Sequence, residues 1–237
     1  MLSIVIPTLN EKNNLPLLLE SLKKQNFSGS YELIVSDAGS EDDTIEVAKK
    51  FGCKIAKGGW PAKGKNEGAK LAKGDLILFI DADVILPEDF IEKNLGEFYF
   101  RKLDVASFYI QSLNSVHNFL FKILFNFPSK ITERFLPQAM NIILVKKDLH
   151  QKIGGFDEEI KLGEELDYVR RGAKIGKFGV LKSVKIFAST RRFQQDGWFK
   201  TWLKYFLCQL YMLFFGPVKS DIFKYKFNHY KFNHYKK

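Results

Sequence analysis

The sequence predicts an α/β chain with a mostly parallel central sheet flanked by helices, plus a C-terminal apolar helix and a basic tail. Three observations carry this. Short apolar runs alternate with helical stretches through the first half, the rhythm of parallel strands joined by right-handed crossovers. One run, Leu76 to Ile80, is apolar at every position, as a strand buried on both faces requires. Between Trp198 and Phe215 the chain is apolar apart from Lys200, Thr201, Lys204 and Gln209, and residues 219–237 then carry six Lys against one Asp.

Taken in order, residues 2–6 are β-rich and closed by Pro7. Leu15, Leu18, Leu19 and Leu22 then recur at helical spacing. Residues 31–36 read as a second strand ending at Asp37. Ser40 is placed to cap the next helix, with Glu41, Asp42 and Asp43 in a first turn whose dipole favours acids. Residues 53–56 suggest a third strand, residues 62–72 a helix, and residues 76–80 a strand running straight into Asp81-Ala82-Asp83. The second half is less regular. Residues 105–110 and 141–145 look like strands, the latter followed by a helix ending at Gly154-Gly155; residues 116–127 are rich in aromatics without a clear period. The tail repeats a pentad, Lys226-Phe227-Asn228-His229-Tyr230 and Lys231-Phe232-Asn233-His234-Tyr235.

The bulk composition narrows the class. A chain of 237 residues with 46% hydrophobic and 15% aromatic residues has a real core and is not disordered. Its 37 Lys and Arg outnumber 27 Asp and Glu, and the net charge of +10 suits an anionic partner: phosphates, nucleic acid or an anionic membrane face. Cys53 and Cys208 give neither a disulfide framework nor metal-ligand spacing. The opening segment has no basic stretch or cleavage site of a secretory leader, so a cytoplasmic location is expected.

In open sheets of this kind, ligands sit beyond the carboxyl ends of the strands. The polar residues that follow strands are Thr8, Asn10, Glu11, Asp37, Asp81 and Asp83, and they are expected along one edge. Two carboxylates flanking one small residue at a strand end offer hard oxygen ligands to a divalent ion, which can bridge the phosphates of a nucleotide. A solvated turn with two acids is the plainer alternative for the same triplet.

Three further segments bear on that choice: Ile4-Val5-Ile6-Pro7-Thr8-Leu9-Asn10-Glu11, Ile34-Val35-Ser36-Asp37-Ala38-Gly39-Ser40, and Gly64-Lys65-Asn66-Glu67-Gly68-Ala69 leading to Gly74-Asp75. With the Asp-Ala-Asp they resemble, in order and spacing, the family 2 glycosyltransferases, whose catalytic domain has the GT-A fold; the resemblance covers roughly residues 1–190. It implies that Pro7, Thr8, Asn10 and Glu11 line a nucleotide pocket, that Asp37 bonds the base, and that Gly39 and Ser40 shape the adjoining turn. Lys65 falls where the family places a basic residue near the nucleotide. Asp81, separated by Ala82 from Asp83, would contact ribose or metal, and Asp83 would ligate Mn2+ or Mg2+. Gly163-Glu164-Glu165-Leu166-Asp167 resembles the family's acidic motif and puts Glu165 at the position of the general base, with Glu164 and Asp167 as alternatives. Arg191 and Arg192 stand where relatives carry a basic motif facing the diphosphate, to which arginine's fork is suited. The resemblance further implies a UDP- or GDP-linked sugar donor and inversion at the anomeric carbon.

The segment 198–215 is short and charged for a transmembrane span. Lys200 and Lys204 lie on one stripe, which suits a helix in the membrane interface with snorkelling lysines, and burial against the catalytic domain is the competing expectation. We therefore expect a catalytic domain at residues 1–195 and an amphipathic helix with a basic aromatic tail at 196–237. The protein is expected to be peripheral at the cytoplasmic membrane face, with a sugar or lipid-linked acceptor and no nucleic acid partner. A sugar nucleotidyltransferase is disfavoured because no glycine-rich loop follows the first strand; a non-catalytic membrane-associated binding protein of the same fold is the other alternative.

Overall fold

The computed structural model describes residues 1–112 and 114–223. Both tail pentads, with their lysines and the pair His229 and His234, lie outside the described residues. The elements run β1 (Leu2–Thr8), α1 (Leu15–Lys23), β2 (Tyr31–Asp37), α2 (Thr44–Lys50), β3 (Lys54–Lys57), α3 (Pro61–Leu71), β4 (Leu76–Ile80), β5 (Val84–Ile85) and α4 (Phe90–Phe100). They continue with β6 (Val105–Gln111), α5 (Ser115–Phe121), a π-helical turn (Lys122–Asn126), α6 (Phe127–Thr132), β7 (Ile142–Lys146), α7 (Lys147–Lys152), α8 (Glu164–Ala173), β8 (Phe178–Ala188), α9 (Arg191–Asp196) and α10 (Trp198–Phe215).

Among the described residues the strands form one sheet of eight, ordered β3-β2-β1-β4-β7-β6-β8-β5. The first four are parallel, as their alternation with α1, α2 and α3 demands. Strand β7 runs antiparallel between β4 and β6, β8 is again parallel to β6, and β5 closes the edge antiparallel. The carboxyl ends of β1, β2 and β4 therefore share one edge, and Thr8, Asp37 and Asp81 meet there.

Strand β4 shows why the sheet is buried on both faces. Leu76, Leu78 and Ile80 join one core cluster with the α1 leucines, whereas Ile77 and Phe79 point into a second with Ala62, Ala69 and Tyr168. Helix α3 lies close to the sheet because its inward face is small. A Cβ on Gly68 would stand 2.3 Å from Val5 Cγ1, so only glycine fits there.

Two local expectations are corrected. Ser40 does not cap a helix: α2 begins at Thr44, and the Ser40 hydroxyl donates instead to Asp37. The aromatic stretch 116–127 is helical, its missing period explained by the π turn between α5 and α6, which shifts the face that meets the core.

Helix α10 is both packed and exposed. Thr201, Cys208 and Met212 are buried, the latter two with Leu162, Leu166 and Val218. Phe199, Phe206, Leu213, Phe214 and Phe215 are exposed. No helix among the described residues is long and apolar enough to cross a membrane.

The second core holds a titratable group with a measurable consequence. His150 is 9% exposed, contacts the Tyr168 hydroxyl through Nδ1 at 2.9 Å and lies beside Phe79 and Phe156. Burial, reinforced by the Arg171 charge, depresses its pKa to about 4. The unfolded chain takes up this proton near its ordinary 6.5 and the native protein only near 4, so stability is lost as pH falls through that window. The expected loss between pH 7 and pH 5 is about 2 kcal/mol. Urea unfolding at the two pH values should show it, and the slope should flatten in His150→Gln; an equal slope in both proteins would assign the effect elsewhere.

Candidate active site

The shared strand edge opens into a cleft of about 860 Å³, a size suited to a nucleotide-scale ligand. Pro7, Thr8, Glu11, Lys65, Asp81, Ala82, Asp83, Glu164, Glu165, Arg191 and Arg192 all contribute to its wall. Asn10, Asp37, Gly39 and Ser40 lie outside that wall, in the loop layer behind Ala38.

That loop layer is a closed hydrogen-bond system. Asp37, 4% exposed, accepts from Thr8 Oγ1 at 3.0 Å, from Ser40 Oγ at 2.5 Å, and from the backbone N–H groups of Gly39 and Ser40 at 2.9 and 2.8 Å. Gly39 takes φ +95°, which L side chains rarely adopt, and lets both amides turn back on the carboxylate. Asn10, itself at φ +55°, donates its amide to Ser40 Oγ and accepts from Glu41 N. In this arrangement Asp37 fixes the β1 and β2 loops against each other.

At the end of β4, Asp81 is tied to the start of β7: its amide donates to the Asn141 carbonyl at 3.0 Å and its Oδ2 accepts from Asn141 Nδ2 at 2.9 Å. Burial, with the charges of Glu165, Asp83 and Glu164 added against that of Lys65, holds the Asp81 carboxyl well above the usual range. Asp83 pairs with Arg191, whose Nη2 lies 3.2 Å from Asp83 Oδ2 and 3.3 Å from Glu11 Oε1. Burial and the nearby Asp83 likewise raise Glu11, against the pull of Arg191 and Asn14.

Opposite this edge, Gly163 at φ +82° turns the chain into α8, whose first turn presents Glu164 and Glu165. Lys65 comes up from α3 to meet them, with Nζ 2.5 Å from Glu165 Oε1 and 3.2 Å from Glu164 Oε1. The lysine side chain is only 2% exposed, and a charge so deprived of water needs such partners. The glutamates raise its pKa despite burial. The resemblance placed Lys65 beside the nucleotide; it lines the cleft but its ammonium is spent on the glutamates. Asp167 pairs with Arg171 at 2.7 Å and does not line the cleft, which leaves Glu164 and Glu165 as the acids of this motif that face it. Arg192 donates to the Tyr205 hydroxyl at 2.7 Å, so α10 also supplies part of the wall.

Asn141 and Trp60 are among the residues of this site that went unread in the sequence. Asn141 bonds Asp81 from a distant strand, and its only local mark is a left-handed φ of 57° that sequence does not display. Trp60, 57% exposed at the cleft, lies under Lys161 Nζ at 5.1 Å from its ring centroid.

The donor atoms of Asp81 and Asp83 are carboxylate oxygens in a locally acidic, partly dried pocket, which a hard divalent cation relieves. The pair therefore fits Mn2+ or Mg2+. Among the described residues no group of three or more His, Cys, Asp and Glu is arranged to hold a metal alone.

Residues 3–155 match the model of glycosyl transferase family 2, well over half of the chain. The chain belongs to that family. Similar proteins include an uncharacterised glycosyltransferase of Haemophilus influenzae, 30% identical over 179 residues, covering 71% of this chain and 60% of the relative. YfnE of Bacillus subtilis, also an uncharacterised glycosyltransferase, is 29% identical over 157 residues, covering 58% of this chain and 39% of its own length. This chain thus spans only part of the length of these relatives. Among solved structures, Pyrobaculum calidifontis mannosyltransferase PcManGT in complex with GDP-Man and Mn2+ superposes with TM-score 0.69 at 16% identity, covering 90% of this chain and 63% of the other. Staphylococcus aureus TarS in complex with UDP-GlcNAc gives 0.64 at 21% identity, covering 90% and 73%. At these identities the likeness establishes the fold, which is GT-A. The acids of α8 and the arginines of α9 lie beyond the matched segment and rest on geometry alone.

Proposed function

We propose that this family 2 chain transfers a sugar from a UDP- or GDP-linked donor to an acceptor hydroxyl with inversion. The observation that carries this is one cleft with Asp81 and Asp83 on the sheet edge and the Lys65-paired glutamates of α8 facing it. The neighbours bound to UDP-GlcNAc and to GDP-Man with Mn2+ support the donor class.

In this reading Asp83, with Asp81, would hold Mn2+ or Mg2+, which when bound supplies charge neutralisation at the donor diphosphate. Pro7, Thr8 and Glu11 line the nucleotide side, with Asn10, Asp37, Gly39 and Ser40 shaping their loops. Arg191 and Arg192 offer guanidinium forks to phosphate oxygens. Glu165 takes the proton of the acceptor hydroxyl while the acceptor oxygen bonds to the anomeric carbon; the bond from that carbon to the diphosphate oxygen breaks, and the nucleoside diphosphate leaves. Lys65 holds one oxygen of Glu165 and thereby aims the other.

The acceptor side includes an apolar face. Phe199, Phe206, Phe214 and Phe215 of α10 are exposed, as are Val116, Phe119, Ile123 and Phe127 of the α5 to α6 segment. With a net charge of +10 this favours peripheral attachment at the cytoplasmic membrane face and a lipid-linked acceptor. Residues 1–195 then carry the chemistry and residues 196–237 the attachment. Retention on anionic vesicles at low salt is the expected result, and a protein that stays in the supernatant would remove the attachment from the proposal.

The test of the donor reading is thermal shift and calorimetry with UDP-, GDP- and other nucleotide sugars, with and without Mn2+ or Mg2+. One donor class should stabilise the wild type in a metal-dependent way, and Asp83→Ala should abolish this. If a folded wild-type protein answers none of the donors, the non-catalytic binding role takes precedence.

A further inference from the structure

We propose that the part of the cleft beside Glu165 binds the apolar body of the acceptor itself. The attacked hydroxyl then belongs to an amphiphilic alcohol, and not to the far end of a long saccharide. The inference rests on the transfer reading above and deepens it by naming the acceptor class. Leu162 and Leu166 bracket Gly163, Glu164 and Glu165 and line the cleft with them, so apolar surface begins next to the glutamates. Ile110 of β6, Phe121 at the end of α5, Phe125 of the π-helical turn and Met140 carry that surface onward.

The glutamines of this wall bond each other: Gln209 Nε2 donates to Gln138 Oε1 at 3.1 Å. Its tyrosine hydroxyl, on Tyr205, accepts from Arg192 at 2.7 Å. A saccharide lying here would have to break such pairs or leave its own hydroxyls unbonded, and either is costly. An apolar body gains with each methylene it buries and disturbs neither pair. The wall is also joined to the apolar surface. Phe121 packs on Trp198, the first residue of α10, with ring centroids 5.3 Å apart. Beyond that contact the same two elements expose Phe119 and Phe199. The acceptor therefore keeps its hydroxyl at Glu165 while the rest of its chain leaves between α5 and α10. The product is the glycoside of that alcohol, with the hydroxyl proton on Glu165 and the nucleoside diphosphate released.

The chain carries its own reporter. Of its three methionines, Met140 lines the cleft, Met212 is buried behind Gly163, and Met1 precedes β1 at the opposite edge of the sheet. The test is a titration of the full chain, labelled with 13C at the methionine methyls, with 1-alkanols from butanol to octanol. Met140→Leu assigns the signal. The Met140 methyl should shift saturably while Met1 stays still, and half-saturation should fall about two- to fourfold with each added methylene. Phe125→Gln should raise the octanol half-saturation by about fivefold. Phe125→Leu, which stays apolar, should remain within about twofold of wild type and guards against a folding defect. Phe100→Gln changes an exposed ring on α4 and should have no effect. The proposal is overturned if Met140 does not respond, if chain length makes no difference, or if Phe100→Gln weakens octanol as much as Phe125→Gln does. Tighter binding of maltotriose than of octanol at Met140 would also overturn it, in favour of a saccharide acceptor. UDP and GDP with Mn2+, added to the same samples, test the donor reading separately. A nucleotide response without an alkanol response removes this proposal alone, and the reverse removes the acceptor role together with the donor reading.

Discussion

Replacing Glu165 with Gln should lower kcat by about 10²- to 10⁴-fold while donor affinity stays within about twofold, the pattern of a lost general base. Gln keeps the size and the hydrogen-bonding reach of Glu but cannot accept the proton of an acceptor hydroxyl. Glu165 stands in the first turn of α8 and faces the cleft, with one oxygen on Lys65 at 2.5 Å. Its second oxygen has no protein bond among those described and is the one available to an acceptor. Glu164 meets the same lysine at 3.2 Å, and the matched Glu164→Gln variant separates the two assignments. Slow hydrolysis of the donor, with water as acceptor, supplies the assay before the natural acceptor is known. A Glu165→Gln enzyme within threefold of wild type, beside a crippled Glu164→Gln, would move the base by one residue. Loss of donor affinity in Glu165→Gln would instead place Glu165 in the donor site.

The fold was legible where local and tertiary demands coincide. The leucine period of α1, the unbroken apolar run of β4 and the alternation of strands with helices each follow from burial on one or both faces of a sheet, and each element stands where its pattern put it. The antiparallel insertion of β7 between β4 and β6 was not legible. An apolar strand carries no mark of its direction, and the pairing depends on the long excursion through α4, β6, α5 and α6 that precedes it. The π turn of residues Lys122–Asn126 hid a helix by breaking its period, because one extra residue in a turn rotates the buried stripe.

The site divides along the same line. Asp81 and Asp83 announce themselves because the strand that delivers them is so plainly buried. Partners are another matter, since pairing over long separations is set by packing. Lys65 and Glu165 are one hundred residues apart in the chain, and no local signal tells a basic residue near a phosphate site from one buried beneath a carboxylate pair. The Asp37 loop shows the reverse case: Ser40 has the composition of a helix cap, but the buried carboxylate three residues earlier competes for its hydroxyl and wins.

Lys65 therefore carries the second large expectation. Substitution by Met, which fills a similar volume without charge, should destabilise the fold by about 3–5 kcal/mol, the cost of leaving buried carboxylates without their cation. The lysine side chain is 2% exposed and its partners Glu164 and Glu165 are 12% and 19% exposed, so water cannot readily replace it. The glutamates raise the lysine pKa, so its contribution is fully present below the unfolded lysine range and fades only as pH climbs through the still higher native value. The loss measured by urea unfolding should accordingly be nearly constant from about pH 6 to pH 9. In a Glu165→Gln background the same Lys65→Met change should cost less than in the wild type, because one of the stranded charges is already gone. A loss below about 1 kcal/mol, with no coupling to Glu165, would mean that solvent reaches the glutamates as well as it reaches surface pairs. Lys65 would then be free to turn towards a nucleotide, as the sequence resemblance implies. A large, coupled loss would make its chief role the aiming of Glu165, with the base held in position before any substrate arrives.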